Sequence, residues 1–168
     1  MKKILKVIFL LILVLLSISL LFIGNGYNMY KEALNNTPIQ EKVVDIKSKQ
    51  NYTEFSELPQ MYINAVISVE DKRFYKHNGI DIIAIGRAAL NDLKAMSYVE
   101  GGSTITQQLA KNMYFTQEKK IERKIAEVFM AWKIESKYSK EEIFELYVNS
   151  IYFGDGYYTV KDACRRIF

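Results

Sequence analysis

From Val7 to Ile23 the chain is apolar except for Ser17 and Ser19, and counting back to Ile4 gives about the twenty residues a helix needs to cross a bilayer. This pattern predicts a transmembrane anchor over residues 1–24. A cleaved leader is the competing reading, but the run exceeds a usual leader core, and Gly24-Asn25-Gly26-Tyr27-Asn28 offers no small-x-small cleavage site. Lys2, Lys3 and Lys6 precede the span, which places the N-terminus in the cytoplasm and the rest of the chain on the outer face. Residues 25–57 are polar and read as a stalk, with a turn at Asn35-Asn36-Thr37-Pro38 and a short strand at Val43-Val44-Asp45-Ile46.

A globular domain is expected over residues 58–168. Pro59 suits the first turn of a helix in which Tyr62, Ala65, Val66 and Val69 recur at helical spacing, and that helix delivers Glu70 at its end. Past an Asn78-Gly79 turn, Asp81 can cap a second helix with the stripe Ile82, Ile85, Gly86, Ala89 and Leu93. Gly101-Gly102-Ser103 reads as a loop, within a polar stretch that opens at Glu100. Thr104 with Gln107 makes a capping box for a helix to about Asn112. Ile121, Ile125, Val128, Phe129 and Trp132 predict a further helix with that stripe as its core face, and Ser139 with Glu142 caps a last one that buries Ile143, Leu146 and Tyr147. Helices joined by short loops, with almost no alternating pattern, predict an all-α domain behind one N-terminal transmembrane helix.

Composition changes this picture little. In 168 residues the net charge is +4, a mild excess that fits an anionic phosphate or a lipid surface, and no nucleic-acid-binding signature accompanies it. Cys164 is the only cysteine, so there is no internal disulfide framework; it is expected to pack as a small hydrophobe. With one histidine, His77, no histidine metal cluster can form.

Candidate chemistry concentrates in two runs. Glu70 lies where a helix gives way to a loop, and apolar Val69 and Phe74 beside it could desolvate it toward the range of a general base; a helix-end carboxylate paired with Lys72, Arg73 or Lys76 is the plainer reading. Arg123 and Glu127 share a helix face, as a site or as an exposed i,i+4 pair. Lys111 is a solvated helix end or a phosphate-binding charge, but the spacing from Gly101 is not that of a Walker A loop.

Taken together these runs resemble the glycosyltransferase family 51 domain, the peptidoglycan transglycosylase module of class A penicillin-binding proteins and monofunctional glycosyltransferases. Glu70 to Gly79 resembles E-D-x-x-F-x-x-H-x-G, and Gly101 to Asn112 resembles G-G-S-T-I-T-Q-Q-L-x-K-N. Arg123 to Glu127 resembles R-K-x-x-E, and Lys140 to Asn149 resembles K-x-x-I-L-E-x-Y-L-N. The resemblance implies a lysozyme-like helical domain that polymerises lipid II, with Glu70 as base toward the acceptor and inversion to a β-1,4 bond. Lys111 and Arg123 would stabilise the departing pyrophosphate, with Glu127 beside it as a second catalytic carboxylate. Ser103, Thr104, Gln107, Gln108, Asn112 and His77 would line or brace the cleft, and Asp71 and Phe74 would hold Glu70. No cofactor is required by these residues, although the resemblance allows a divalent cation, magnesium or manganese, at the pyrophosphate. The implied partners are lipid II, the lipid-linked glycan, the membrane and cell-wall synthases. An inactive lipid II-binding scaffold is the alternative, and a lysozyme-like hydrolase a weaker one. Two departures stand out: Thr159 occupies a glycine position of the family's fifth motif, a costly change where φ is positive, and the chain stops at Phe168, where the family continues.

Overall fold

The computed structural model describes residues 2–97, 101–116, 118 and 120–167; Glu100 and Phe168 lie outside them. The described residues are all-helical: α1 (Lys2–Asn36), α2 (Ile39–Lys47), α3 (Gln60–Glu70), α4 (Ile82–Ala95), α5 (Ile105–Tyr114), α6 (Ile121–Glu135), α7 (Lys140–Val148) and α8 (Val160–Ile167). Short 3-10 turns occupy Phe55–Glu57 and Phe74–Lys76. Among the described residues, α1 is the one helix long and apolar enough to cross a membrane.

The segment expected to be a stalk belongs to the folded body. Helix α1 runs unbroken through Gly24 and Gly26 to Asn36, and a Cβ on Gly26 would lie 2.6 Å from Ile125 Cβ, so the missing side chain lets α1 meet α6. Tyr27 and Tyr30 pack on Phe129, with ring centroids 5.2 and 5.8 Å apart. Of the predicted turn Asn35-Asn36-Thr37-Pro38, only Thr37 and Pro38 leave the helix, the two asparagines ending α1, and residues 43–46 are helical rather than a strand. The reason is register: Ile39, Val43 and Ile46 fall at i, i+4 and i+7 and are buried in the core, and that burial overrides the β preference of two valines.

Helices α5, α6 and α7 form the centre, with Ile105, Leu109, Met130, Ile134, Ile143 and Phe144 all buried. The predicted core face of α6 is corrected here. Ile125, Val128 and Phe129 are only half-buried, with Ile125 and Phe129 turned to α1, and Ile121 and Trp132 are exposed; the core receives Ala126, Met130, Ala131 and Ile134 instead. On α3, Ile63 replaces the predicted Ala65 and Val69, which are exposed. The stripe predicted for α4 is not buried either: Ile82, Ile85, Gly86, Ala89 and Leu93 are exposed, and only Ala88 is covered. Helix α4 meets the body at the glycine loop, where a Cβ on Gly102 would come within 3.1 Å of Ile85 Cα.

Local caps follow the sequence closely. Ser139 and Glu142 make the expected capping box of α7. Asp81 accepts the N–H groups of Ile83 and Ala84 at 2.9 and 3.0 Å, and its other oxygen lies 3.0 Å from Arg73 Nε. Burial alone would raise this carboxyl, but the Ala84 N–H, the Arg73 charge and the Ile83 N–H outweigh it and hold it below the usual aspartate range. A depressed folded-state value gives stability that is present above about pH 4 and lost as pH falls through the folded-state value. Asp81→Ala is therefore expected to cost about 1–2 kcal/mol at neutral pH and to flatten the acid side of the thermal-midpoint profile between about pH 2 and 5.

The C-terminal segment brings two further corrections. Thr159 has no positive φ; its hydroxyl accepts the Asp162 N–H at 3.2 Å and bonds the Asp162 carboxylate at 2.7 Å, so it starts α8 without the strain that its place in a glycine motif suggests. Cys164 is exposed rather than packed. Buried Asn149, at the end of α7, takes both backbone groups of Thr53 and so ties the N-terminal segment to the centre.

Candidate functional site

The start of α5 is fixed by buried bonds. Thr104 Oγ1 accepts the Gln107 N–H at 3.1 Å, the Gln107 side chain accepts the Thr104 N–H at 3.0 Å, and the threonine hydroxyl donates to Gly79 O at 2.7 Å. The next N–H, of Ile105, donates to Asp71 Oδ2 at 3.1 Å. Since Asp71 directly follows Glu70, this bond fastens the end of α3 to the start of α5. His77 Nε2 lies 3.0 Å from both Asp71 oxygens, and Phe74 beneath the turn is fully buried. Asp71, Phe74, His77 and Thr104 thus build the frame of the site.

Asp71, His77 and Asp81 each offer a ligand atom, and these atoms lie within 4.8 Å of one another. Every carboxylate oxygen there already accepts a bond from His77, Ile105, Ile83 or Ala84 or faces Arg73, so the group is a bracing network.

Gln108 projects from this fixed start to the surface. Its Nε2 donates to Glu70 Oε2 at 2.8 Å, and its Oε1 accepts the Tyr147 hydroxyl at 3.2 Å. Burial, followed by the charge of Glu70, pushes the Tyr147 hydroxyl well above the usual phenol range, which keeps it a donor. The apolar enclosure expected around Glu70 is not formed: Glu70 is exposed, Val69 is 79% exposed, and Phe74 turns into the core. Its defining contact is the amide of Gln108.

Three residues beyond Gln108, within one turn of helix, Lys111 faces α6 across a cavity of about 470 Å³ lined by Ser103, Gln107, Gln108, Lys111, Arg123, Lys124 and Glu127. Glu127 is 1% exposed, where a solvated pair with Arg123 was one expectation. It accepts from Arg123 Nη1 and, at 2.9 Å, from Lys124 Nζ, which also lies 2.6 Å from Ser103 Oγ. Lys111 makes no ion pair among the described residues, and Arg123 Nε is buried without an acceptor among them. Three cations against one carboxylate leave an excess of two positive charges, a setting for a polyanion.

Ser103, Gln107, Gln108, Lys111, Arg123 and Glu127 line one cavity, and Glu70 meets it through its bond to Gln108; Asn112 lines a separate groove. Lys124 was missed by the sequence reading. Its signal was present, because a lysine three residues before Glu127 lies on the same helix face.

Comparison with known families matches residues 35–168 to the family described as transglycosylase. The chain belongs to the transglycosylase family. Among its relatives, a monofunctional glycosyltransferase of Staphylococcus haemolyticus is 40% identical over 168 residues, 99% of this chain and 60% of that protein. A monofunctional glycosyltransferase of Staphylococcus epidermidis is 45% identical over 129 residues, 75% of this chain and 48% of that protein. Penicillin-binding protein 1F of Bacillus subtilis is 41% identical over 160 residues, 90% of this chain and 22% of that protein. The chain therefore spans less than two thirds of the length of these relatives. The match begins at residue 35 and takes in α2, in agreement with its buried position.

Proposed function

We propose that this chain is a membrane-anchored peptidoglycan glycosyltransferase that polymerises lipid II. The observation that carries the reading is the cationic pocket of Lys111, Arg123 and Lys124 one turn of α5 from the Glu70–Gln108 pair. Glu70 takes the proton of the acceptor's 4-hydroxyl as that oxygen attacks the anomeric carbon of the lipid-linked chain. The new carbon–oxygen bond forms on the face opposite the leaving group, which inverts the centre and gives a β-1,4 link. The polyprenyl pyrophosphate departs with the electron pair of the broken bond, and the three cations meet the charge that develops on it. Glu127 holds Arg123 and Lys124 in place, because a buried carboxylate with two charged donors fixes both side chains.

A divalent cation does not fit the residues of this pocket. Glu127 is its only lining carboxylate, and both of its oxygens are engaged by Arg123 and Lys124. No step is routed through a metal.

The membrane location rests on α1 and on the exposed apolar side chains of α4 and its C-cap, among them Ile82, Leu90, Leu93 and Met96. The lysines ahead of the span orient the domain to the outer face.

Lys111→Met tests the pocket. It removes a charge that no carboxylate of the described residues compensates, so the fold should be unchanged while affinity for a polyprenyl pyrophosphate falls about 10- to 100-fold. Titration of that ligand into the micelle-embedded chain reads the change, and equal affinity in both forms would remove the pocket from the reaction.

A further inference from the structure

Gln108 is the contact that defines the position of Glu70, and Gln108 is itself held from behind. A primary amide carries an acceptor on one side and two donors on the other, and its two orientations fill nearly the same space. Gln108 Nε2 donates to Glu70 Oε2 at 2.8 Å, and its Oε1 accepts the Tyr147 hydroxyl at 3.2 Å, so a carboxylate stands at one end of the amide and a phenol at the other. The three residues come from three helices, α3, α5 and α7.

Tyr147 is the fixed member of the three. It is 2% exposed, whereas Gln108 is half-buried and Glu70 exposed. Its ring packs beside Phe144 in the core, with centroids 6.4 Å apart. Among the described residues its hydroxyl has no hydrogen-bond partner besides Gln108 Oε1. Turning the amide over would leave the phenol hydrogen without an acceptor in a place closed to water, a loss on the scale of a buried hydrogen bond.

The other end holds the amide only part of the time. An ionised Glu70 accepts and cannot donate, so it too requires the N–H side of Gln108. A Glu70 that carries a proton can donate as well, and from then on the phenol alone keeps the amide from turning over. The pin on Oε2 leaves Oε1, which has no partner among the described residues, as the oxygen free to receive a proton. An exposed glutamate held by no such contact would spread over its rotamers and present that oxygen only a fraction of the time.

We infer that Tyr147 is a positioning residue: acting through Gln108, it pins Glu70 Oε2 and so aims Oε1 at the acceptor hydroxyl. The aim rests on Glu70 as the base of the reaction proposed above; the pinned amide does not.

The test uses the full chain in detergent micelles, with 15N in the glutamine side chains. The Gln108 signals are those lost in Gln108→Leu. In the unaltered chain these amide protons are expected to exchange with water at least about tenfold more slowly than those of exposed Gln40 and Gln50, a comparison that needs no variant of Tyr147. In Tyr147→Phe, which keeps the buried ring, that protection is expected to be lost. With labelled lipid-linked donor and acceptor, Tyr147→Phe should lower kcat about tenfold and leave KM unchanged. Added to Gln108→Leu it should lower kcat no further, because the phenol acts only through the amide. Unprotected Gln108 protons in the unaltered chain, equal protection in Tyr147→Phe, or losses in kcat that add between the two substitutions would overturn the inference. Protection that depends on Tyr147 in a chain that makes no polymer would uphold the pinned amide and sink the polymerising function alone.

Discussion

Glu70→Gln is expected to abolish polymerisation while leaving the fold and donor binding in place. The substitution keeps the size of the side chain and one oxygen to accept the Gln108 amide, which now lies 2.8 Å from Glu70 Oε2. It removes the only feature that can take a proton. Because Glu70 is exposed, stability should change by less than about 0.5 kcal/mol, and the rate of chain formation should fall by about 10²- to 10⁴-fold. Single-turnover assays with labelled lipid-linked donor and acceptor separate the two effects, since the chemical step falls and the affinity stays. A rate within about tenfold of the unaltered chain would be too small a loss for a general base and would assign the proton transfer elsewhere.

The largest stability effect is expected at Glu127. This carboxylate is 1% exposed and is the counter-charge of Arg123, whose side chain is 14% exposed, and of the more exposed Lys124. Glu127→Ala leaves the Arg123 charge buried without a partner, and breaking such a pair costs about 3–5 kcal/mol. Urea unfolding of the micelle-embedded chain, followed by the fluorescence of Trp132 and by helical circular dichroism, should show that loss as a lower midpoint. The exposed Glu118–Lys120 pair is the control, and Glu118→Gln should leave the midpoint where it was. Equal midpoints for the two variants would mean that Glu127 is not a buried counter-charge.

Features set by a few neighbouring residues were legible in the sequence. The caps at Asp81, at Thr104 with Gln107 and at Ser139 with Glu142 all form, because a hydroxyl or carboxylate meets N–H groups two or three residues ahead whatever the tertiary context. Faces were harder to read. Helix α6 carries two apolar stripes: the bulkier one, with Ile125 and Phe129, is the core face that periodicity predicts, yet it packs on α1, while alanines and Met130 occupy the interior. Periodicity locates a stripe but does not say which helix will cover it. The same gap explains α4, most of whose apolar residues are covered by no helix among the described residues. Burial of Glu127 could not be read from its residue type, since glutamate is normally exposed; it follows from two basic side chains converging on it. Nor does anything in Gly26 itself announce that the anchor will join the domain. That depends on Ile125, about a hundred residues away, which leaves no room for a side chain.

The central claim is that one cleft joins a base, Glu70, to a cationic pocket for a leaving pyrophosphate. It is tested most directly by embedding the chain in bilayers with labelled lipid II and resolving the products by size and linkage. Glycan strands with new β-1,4 bonds, formed together with polyprenyl pyrophosphate, are the predicted result. Intact lipid II held by a folded chain would contradict it and would make this protein a binding scaffold.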